Sequence, residues 1–384
     1  MIMNIQLSNK IAAVGLNQLD DSYNVGENIE NPDGIMVRSA VMHEMEFAPS
    51  LKAIARAGAG VNNIPIERCS ESGIVVFNTP GANANGVKEL AICALLLAAR
   101  DVVGGIAWAN TLTEDVAKQV EKGKSKFAGT ELMGKTLGVI GLGAIGGKIA
   151  NTAIHLGMNV IGCDPFLSIE GAWNLNHRVS RAATYDEVFE KSDYITLHVP
   201  ATKDTKNMIC AESIAKMKNG VKIINLSRAD LVNAAELKAA LAEGKVSAYV
   251  TDFPTEEVIN TTGVVAIPHL GASTEESEDN CAVMAARELD DYLRNGNIKN
   301  SVNYPNVEMP RSGAARICVL HQNVPSILTK ITAAVADEGL NIENMTNKSK
   351  GENAYTVLDV SSSPSDDAIA RIASVEGINR VRVI

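Results

Sequence analysis

The chain lacks the features that mark secreted, membrane-spanning and disulfide-linked proteins. Its six cysteines are scattered over 384 residues and none forms a C-x-x-C pair, so we expect reduced thiols and a cytoplasmic location. The first residues show no basic stretch leading into an apolar one, and no secretory signal peptide is expected. The longest conspicuous apolar run, 90–99, is shorter than the roughly 20 residues that span a bilayer. That run predicts a buried helix.

The chain also lacks an excess of positive charge. Its 35 Lys and Arg residues stand against 45 Asp and Glu residues, and the net charge of −10 argues against nucleic-acid binding. An anionic substrate must therefore be held by a few local cations. No two of the six histidines have the spacing of metal ligands, so no metal site is predicted.

What is present predicts an α/β protein of roughly two to three domains. Between 135 and 267, strand-like runs alternate with helical stretches, which indicates a parallel sheet with helices on both faces. Short apolar runs at 34–38, 51–55 and 73–77 predict strands of a further α/β region. A long helix is predicted over 274–294, before the helix stop at Asn295 and Gly296.

The C-terminal part has a different pattern. Residues 315–384 predict the order strand, helix, strand, strand, helix, strand, which is the βαββαβ order of a ferredoxin-like unit. The segment 303–314 carries Pro305 and Pro310, and we interpret it as the linker that precedes this unit.

The strongest single motif is a glycine-rich loop, Gly141-Leu-Gly143-Ala144-Ile145-Gly146. It follows a predicted strand and opens a helix, and the next strand ends in Asp164. This is the context of a dinucleotide-binding fingerprint, in which the glycines allow a tight turn, close approach of a pyrophosphate and helix–strand contact. Asp164 would bind the adenosine ribose and repel a 2′-phosphate, which favours NAD over NADP.

Two histidines follow predicted strands, where ligands bind in parallel sheets. His198 ends one strand, and both a place along the cofactor cleft and a purely structural role remain open for it. His269 follows another strand and is the best candidate for an acid/base group.

These motifs occur in one order with several others: 78–81, 141–146, 198–200, 225–228, Asp252 and 268–273. Together they resemble the D-isomer-specific 2-hydroxyacid dehydrogenases. The resemblance implies a Rossmann-type, doubly wound NAD-binding domain over 96–275. It implies that this domain is inserted in a discontinuous, flavodoxin-like substrate domain made of 1–95 and 276–302.

The resemblance also implies a catalytic trio of arginine, glutamate and histidine. Arg228 matches the arginine, which would bind a substrate carboxylate bidentately, and His269 matches the acid/base. The glutamate is Glu257 when residues are counted from Arg228, or Glu256 when the 253–255 stretch is aligned; Glu257 is preferred narrowly. A carboxylate beside His269 would raise the pKa of the imidazole and select its tautomer.

The remaining site residues come from the same resemblance. Cofactor contacts are expected from the glycine loop and from the following residues: Asp164, His198, Val199, Pro200, Thr205, Leu226, Ser227, Asp252 and Gly271. Substrate contacts are expected from six residues: Arg38, Arg56, Gly58, Ala59, Asn83 and Lys88. For Lys88, a plain surface lysine is the favoured alternative.

The C-terminal unit resembles an ACT domain, a small amino-acid-binding module. In serine-regulated relatives the positions of His321, Asn323 and Asn341 bind L-serine. Ser326 stands where relatives usually have Gly, which argues for a purely oligomerising domain as the alternative.

The expected activity is NAD-dependent oxidation of D-3-phosphoglycerate to 3-phosphohydroxypyruvate, the first step of L-serine biosynthesis. The candidate phosphate cations Arg38 and Arg56 favour this substrate over glycerate or lactate. A non-enzymatic NAD-sensing scaffold is the weaker alternative. The expected assembly is a homo-oligomer, a dimer or a tetramer.

Overall fold

The computed structural model describes residues 2–384 and divides the chain into two compact units. The first unit comprises the residues up to Ala82 together with Glu278–Ile384, and the second comprises Asn83–Ser277. The predicted boundary at 95/96 falls inside a helix, Ala84–Ala99, whose apolar side chains pack in the core of the second unit. The boundary therefore moves to residue 82, because cutting this helix would expose its buried face.

The N-terminal part of the first unit is a parallel sheet in the order β2-β1-β3-β4-β5. Its strands are β1 (Met3–Leu7), β2 (Tyr23–Gly26), β3 (Gly34–Val37), β4 (Ala53–Arg56) and β5 (Val75–Phe77). Two short helices accompany it, α1 (Ala13–Leu16) and α2 (Ile66–Glu71). Strands β3 and β5 are buried at every position, as expected of strands covered on both faces.

The second unit is a parallel sheet in the order β12-β11-β10-β9-β6-β7-β8. Its strands are β6 (Thr136–Ile140), β7 (Asn159–Cys163), β8 (Val179–Arg181), β9 (Tyr194–Leu197), β10 (Val221–Asn225), β11 (Val246–Thr251) and β12 (Val264–Ala266). The order in which strands are added to the sheet reverses between β6 and β9, which are parallel neighbours. This confirms the predicted doubly wound sheet, and its carboxyl edge at that point is where ligands bind.

Helices surround this second sheet. They are α3 (Ala84–Ala99), α4 (Val102–Ala109), α5 (Val116–Gly123), α6 (Gly146–His155), α7 (Ile169–Trp173), α8 (Tyr185–Lys191), α9 (Ala211–Lys216) and α10 (Ala234–Ala242). Within residues 2–384 no single helix is long and apolar enough to cross a membrane. Helices α3 and α4 reach that length and hydropathy only together, and they are bent by 73° at the break between them.

A long helix, α11 (Glu275–Asn295), leads back into the first unit. From residue 282 onward its buried side chains recur every three or four residues, and Ala282, Ala285, Leu289 and Tyr292 belong to one core with Phe77 of β5. Tyr292 and Phe77 pack ring to ring, with centroids 5.7 Å apart. The helix predicted from the apolar periodicity thus holds the N-terminal sheet by its apolar face.

The C-terminal elements form an antiparallel sheet in the order β14-β15-β13-β16. They are β13 (Ala315–Gln322), α12 (Ile327–Asp337), β14 (Ile342–Lys350), β15 (Asn353–Val360), α13 (Asp366–Ala373) and β16 (Ile378–Val383). The predicted ferredoxin-like order is confirmed. One face of this sheet packs on α12 and α13, and the other contributes Cys318, Leu320 and Tyr355 to the core around Tyr292.

The segment predicted as a linker, 303–314, is a packed part of the first unit. Tyr304, Val307 and Met309 are buried in its core, and Ile298 and Val307 form a β-bridge. The polar and proline-rich composition signalled a loop, but alternate apolar residues bury it against the sheet. The linker prediction was wrong in this respect.

A buried ion pair joins this segment to the C-terminal sheet. The guanidinium of Arg316, on β13, donates from Nε to Asp359 Oδ1 at 2.6 Å and from a terminal nitrogen to Asp359 Oδ2 at 2.9 Å. The same guanidinium also donates to the carbonyls of Asn295 and Pro310. Burial opposes ionisation of Asp359, but hydrogen bonds from Arg316 and Ser312 outweigh it and lower the pKa of the carboxyl.

Replacing one member of this pair should destabilise the fold strongly. Arg316→Met leaves Asp359 buried without its partner, and we expect a loss of about 3–5 kcal/mol in the free energy of unfolding. Denaturant unfolding of Arg316→Met beside Arg178→Met, an exposed arginine, measures this difference. Equal stability of the two variants would contradict it.

Candidate active site

The glycine loop lies at the carboxyl end of β6, where the order of successive strands in the sheet reverses. Gly141 has a φ of +89°, and a Cβ there would lie 2.4 Å from the carbonyl oxygen of His198. A Cβ on Gly146 would lie 1.9 Å from the carbonyl oxygen of Gly141, so only glycine lets α6 begin this close to the strand. Around Gly143 no described atom lies within 4 Å of a built Cβ, and this face of the loop is open.

A cavity of about 570 Å³ adjoins the open face of this loop. Its lining includes Gly143, Ala144 and Asp164, and Ile145 precedes the first turn of α6. Asp164 accepts from the backbone N–H of Leu142 with Oδ2 and from that of Phe166 with Oδ1, each at 2.9 Å. These bonds hold the carboxylate at the cavity wall. An open glycine, a helix N-terminus and a fixed acid suit the pyrophosphate and ribose of a dinucleotide.

His198 and its neighbours form the wall beside Gly141. His198 Nε2 lies 2.7 Å from Thr196 Oγ1, whereas its buried Nδ1 has no hydrogen-bond partner in the described chain. Burial lowers the pKa of His198 to about 3, so the ring is neutral at pH 7. Val199 packs at the position that a Gly141 Cβ would occupy. A bound cofactor would supply the hydrogen-bond partner that this buried Nδ1 lacks.

The other predicted cofactor residues have internal partners. Thr205 donates from Oγ1 to the carbonyl of Pro200 at 2.6 Å, which holds the loop after β9. Ser227 donates from Oγ to the carbonyl of Leu197 at 2.6 Å, and Leu226 is buried in the core. The hydroxyls of Thr205 and Ser227 therefore shape the wall, because each is already bonded to a backbone carbonyl.

Arg228, Phe253 and His269 form a stacked group at the carboxyl ends of β10, β11 and β12. The guanidinium carbon of Arg228 lies 5.5 Å from the centroid of the Phe253 ring. The rings of Phe253 and His269 have centroids 4.4 Å apart and are inclined by 47°. Phe253 was not predicted as a site residue. Its aromatic ring two residues after a strand was the only sequence signal for it.

A buried carboxylate completes this group. Asp252 is 2% exposed, and within residues 2–384 its Oδ1 has no hydrogen-bond partner. Burial raises the pKa of Asp252, while the nearby His269, the backbone N–H of Gly271 and Arg228 oppose this. Asp252 is therefore a buried acid near His269 and Arg228.

The structure does not bring either predicted glutamate to that position. Glu256 and Glu257 are both exposed, and neither forms a hydrogen bond with His269 in the described residues. Glu257 lines a cavity of about 280 Å³ together with Phe253 of the stacked group and with Lys206 and Asp230. Both glutamates lie in the segment between Phe253 and the buried Val258. The role of Glu256 or Glu257 as the partner of His269 therefore stays a prediction, and Asp252 is the buried carboxylate near His269.

The predicted substrate residues of the first unit do come together. Arg56 donates from Nε to the carbonyl of Arg38 at 3.1 Å, and burial lowers the pKa of Arg56. A Cβ on Gly58 would lie 1.7 Å from the Arg56 guanidinium, so this glycine makes room for that side chain. The carbonyl of Ala59 accepts from Asn78 Nδ2 at 2.6 Å. The result is a loop that carries two neighbouring cations.

A missed residue supports this loop. Asn9 accepts with Oδ1 from the backbone N–H groups of residues 38, 39 and 40, at distances of 2.9–3.0 Å. Arg38 itself pairs with Glu278 at 2.5 Å. No local sequence pattern links Asn9 to residue 38, because the contact joins two separate strand ends.

Asn83 and Lys88 belong to the second unit, at the start of α3. Asn83 precedes the helix and makes no side-chain capping bond among the described residues. Lys88 is half-buried and lies 3.5 Å from Glu89 Oε1, and its contact with substrate stays a prediction.

The three predicted effector residues do not share a pocket. His321 is 1% exposed, and its ring nitrogens contact the carbonyl of Gln322 at 2.7 Å and Thr356 Oγ1 at 2.8 Å. Asn323 is exposed, and Asn341 donates to Glu343 elsewhere on the surface. Ser326 has a φ of +65°, the left-handed conformation for which glycine is usual. His321 is corrected to a core residue.

Comparison with known proteins agrees with this architecture. Residues 96–271 match the family model for the D-isomer specific 2-hydroxyacid dehydrogenase, NAD binding domain. A relative from Methanocaldococcus jannaschii, D-3-phosphoglycerate dehydrogenase, is 36% identical over 82% of this chain and 59% of its own length. The Haemophilus influenzae protein of the same name is 31% identical over 91% of this chain and 86% of its own.

A solved structure gives the same result. The crystal structure of NAD⁺-bound 3-phosphoglycerate dehydrogenase from Entamoeba histolytica is 30% identical, with a TM-score of 0.61, over 79% of this chain and 99% of that one. The chain spans 49–59% of the length of four curated relatives, including the Methanocaldococcus protein.

The doubly wound sheet and its glycine loop define a dinucleotide-binding dehydrogenase domain, and the matched model assigns NAD to it. The chain belongs to the D-3-phosphoglycerate dehydrogenase family of the D-isomer-specific 2-hydroxyacid dehydrogenases. The resemblance drawn from the sequence motifs is confirmed, as is the NAD cofactor.

Proposed function

We propose that this chain is an NAD-dependent dehydrogenase that oxidises D-3-phosphoglycerate to 3-phosphohydroxypyruvate, the first step of L-serine biosynthesis. The observation that carries the proposal is the group of Arg228, Phe253 and His269 with Asp252, at the carboxyl edge of a sheet that also bears the glycine loop. The relatives named D-3-phosphoglycerate dehydrogenase support the choice of substrate.

The chemistry follows from the stacked group. When bound, NAD supplies the acceptor for the hydride that leaves C2 of the substrate. His269 accepts the proton of the C2 hydroxyl, so that the C2–O bond becomes a carbonyl. The carboxylate of Asp252 stabilises the imidazolium that forms. Arg228 offers two parallel N–H donors to the substrate carboxylate, and the Phe253 ring holds Arg228 and His269 at fixed positions.

The substrate's phosphate needs cations, and Arg38 and Arg56 are the proposed ones. They lie on neighbouring strand ends of the first unit, where the Arg56 guanidinium donates to the backbone carbonyl of Arg38. Since the whole chain is acidic, this local pair is what would select a phosphorylated acid over an unphosphorylated one.

The direct test is NADH formation from D-3-phosphoglycerate, D-glycerate and D-lactate. We expect the phosphorylated acid to have the highest kcat/KM by about tenfold or more. D-glycerate and D-lactate have no phosphate, so they lose a charged hydrogen bond to the arginines. An equal kcat/KM for glycerate or lactate would show that the phosphate is not recognised. Absence of turnover with all three acids would refute the proposed dehydrogenase activity.

A variant tests the role of His269. His269→Asn should lower kcat by about two to four decades while NADH affinity stays near the wild-type value, because only the acid/base group is removed. His155→Asn, at an exposed histidine on α6, is the matched control. Retention of most turnover by His269→Asn would assign proton transfer to another group.

Regulation and assembly are part of the same proposal. The likeness of the C-terminal unit to an ACT domain supports inhibition by L-serine and a homo-oligomer, and the free thiols support a cytoplasmic location. We expect L-serine to lower activity and Asn323→Ala, at an exposed residue, to relieve this effect. If activity does not change up to millimolar L-serine, and calorimetry detects no binding of L-serine, the unit would have only an assembly role.

A further inference from the structure

A basic groove lies between β14 and the segment 298–306 in the first unit. It has a volume of about 670 Å³, and its polar lining includes Asn78, Asn300, Asn306, Lys348, Ser349 and Lys350. None of the described residues that line it is acidic. We call it the lysine groove. In a chain of net charge −10, an acid-free groove with two lysines is a local exception.

The two lysines point to the same side for a structural reason. Lys348 stands opposite Tyr355 and Thr346 opposite Val357 in the antiparallel pair of β14 and β15. Opposite residues project to one face of a sheet, and Tyr355 and Val357 face the core of the first unit. Lys348 and Lys350, two positions apart, therefore continue that face beyond the core, about 7 Å from each other along the strand.

The cations lack anionic partners. Neither Lys348 nor Lys350 forms an ion pair with any residue that the structure describes. Lys350 donates from Nζ to the carbonyl of Ser301 at 2.8 Å, which uses one of its three donors. Partial burial lowers the pKa of Lys350, so an anion beside it would relieve the cost of its charge.

We propose that the lysine groove binds a small anion through a phosphate group, held by Lys348 and Lys350 with Asn306 as a further donor. Two ammonium groups at this spacing suit a dianion, and phosphate is recognised by such charged donors. The groove does not contain Arg38 or Arg56, so this site is separate from the substrate site proposed above.

The groove is also connected to the candidate substrate loop. Asn300, next to Ser301, donates to the buried Glu288 at 2.6 Å, and its carbonyl accepts from the backbone N–H of Asn78 at 3.3 Å. Asn78 in turn donates to the carbonyl of Ala59. An anion that draws Lys350 away from Ser301 would shift this chain of bonds, and the KM for D-3-phosphoglycerate would change. This coupling rests on the proposed function, whereas the binding site does not.

Calorimetric titration with inorganic phosphate tests the site without reference to activity. We expect Lys348→Gln to weaken one class of phosphate site by about tenfold or more, since a charged hydrogen bond is lost. Lys330→Gln, an exposed lysine on α12, and Arg38→Gln should both keep it. Equal binding by Lys348→Gln and Lys330→Gln would overturn the site. So would the loss of all phosphate binding in Arg38→Gln.

Kinetics test the coupling. In the wild-type protein, phosphate should raise the KM for D-3-phosphoglycerate by more than it does in Lys348→Gln, whereas Lys330→Gln should behave as wild type. If phosphate changes KM equally in the wild type and both variants while calorimetry still shows the binding difference, the coupling would be overturned. The binding site itself would stand. If the wild-type protein has no dehydrogenase activity, that result would contradict the proposed function and not the phosphate site.

Discussion

The contact between Gly146 and the carbonyl of Gly141 is the constraint on which the rest of the second unit depends. Because a Cβ at residue 146 would lie 1.9 Å from that oxygen, α6 can begin directly against the end of β6 only with glycine there. This contact sets the helix N-terminus at the carboxyl edge of the sheet. Asp164, at the end of β7, then reaches the loop through the N–H of Leu142. The dinucleotide site is thus a consequence of one close backbone approach.

The same edge of the sheet brings the chemical groups together. Arg228, Phe253 and His269 follow three successive parallel strands, so their separation in sequence is lost at the edge. Asp252, which follows β11 directly, is buried near them, and the nearby His269 and Arg228 oppose the rise that burial causes in its pKa.

The C-terminal unit is more than an appended module. One face of its sheet shares a core with α11 and β5, and Arg316 bonds both to Pro310 of the 303–314 segment and to Asp359 of β15. Lys350 reaches Ser301 from the same sheet. The path from this unit to the Ala59 loop therefore consists of direct hydrogen bonds and shared packing. A perturbation at β14 has a physical route to the candidate substrate loop.

The sequence alone determined those features whose signals are local. The glycine spacing of 141–146, the alternation of strands and helices and the βαββαβ order follow from backbone geometry and periodic burial, and the motif order pointed to the family. Tertiary structure decided the rest: that His321 turns into the core, that residues 303–314 pack, and that Asp252 is buried near His269. These outcomes depend on which distant residues meet. Local composition does not predict such partners, because burial and charge coupling arise only when separate strands end side by side.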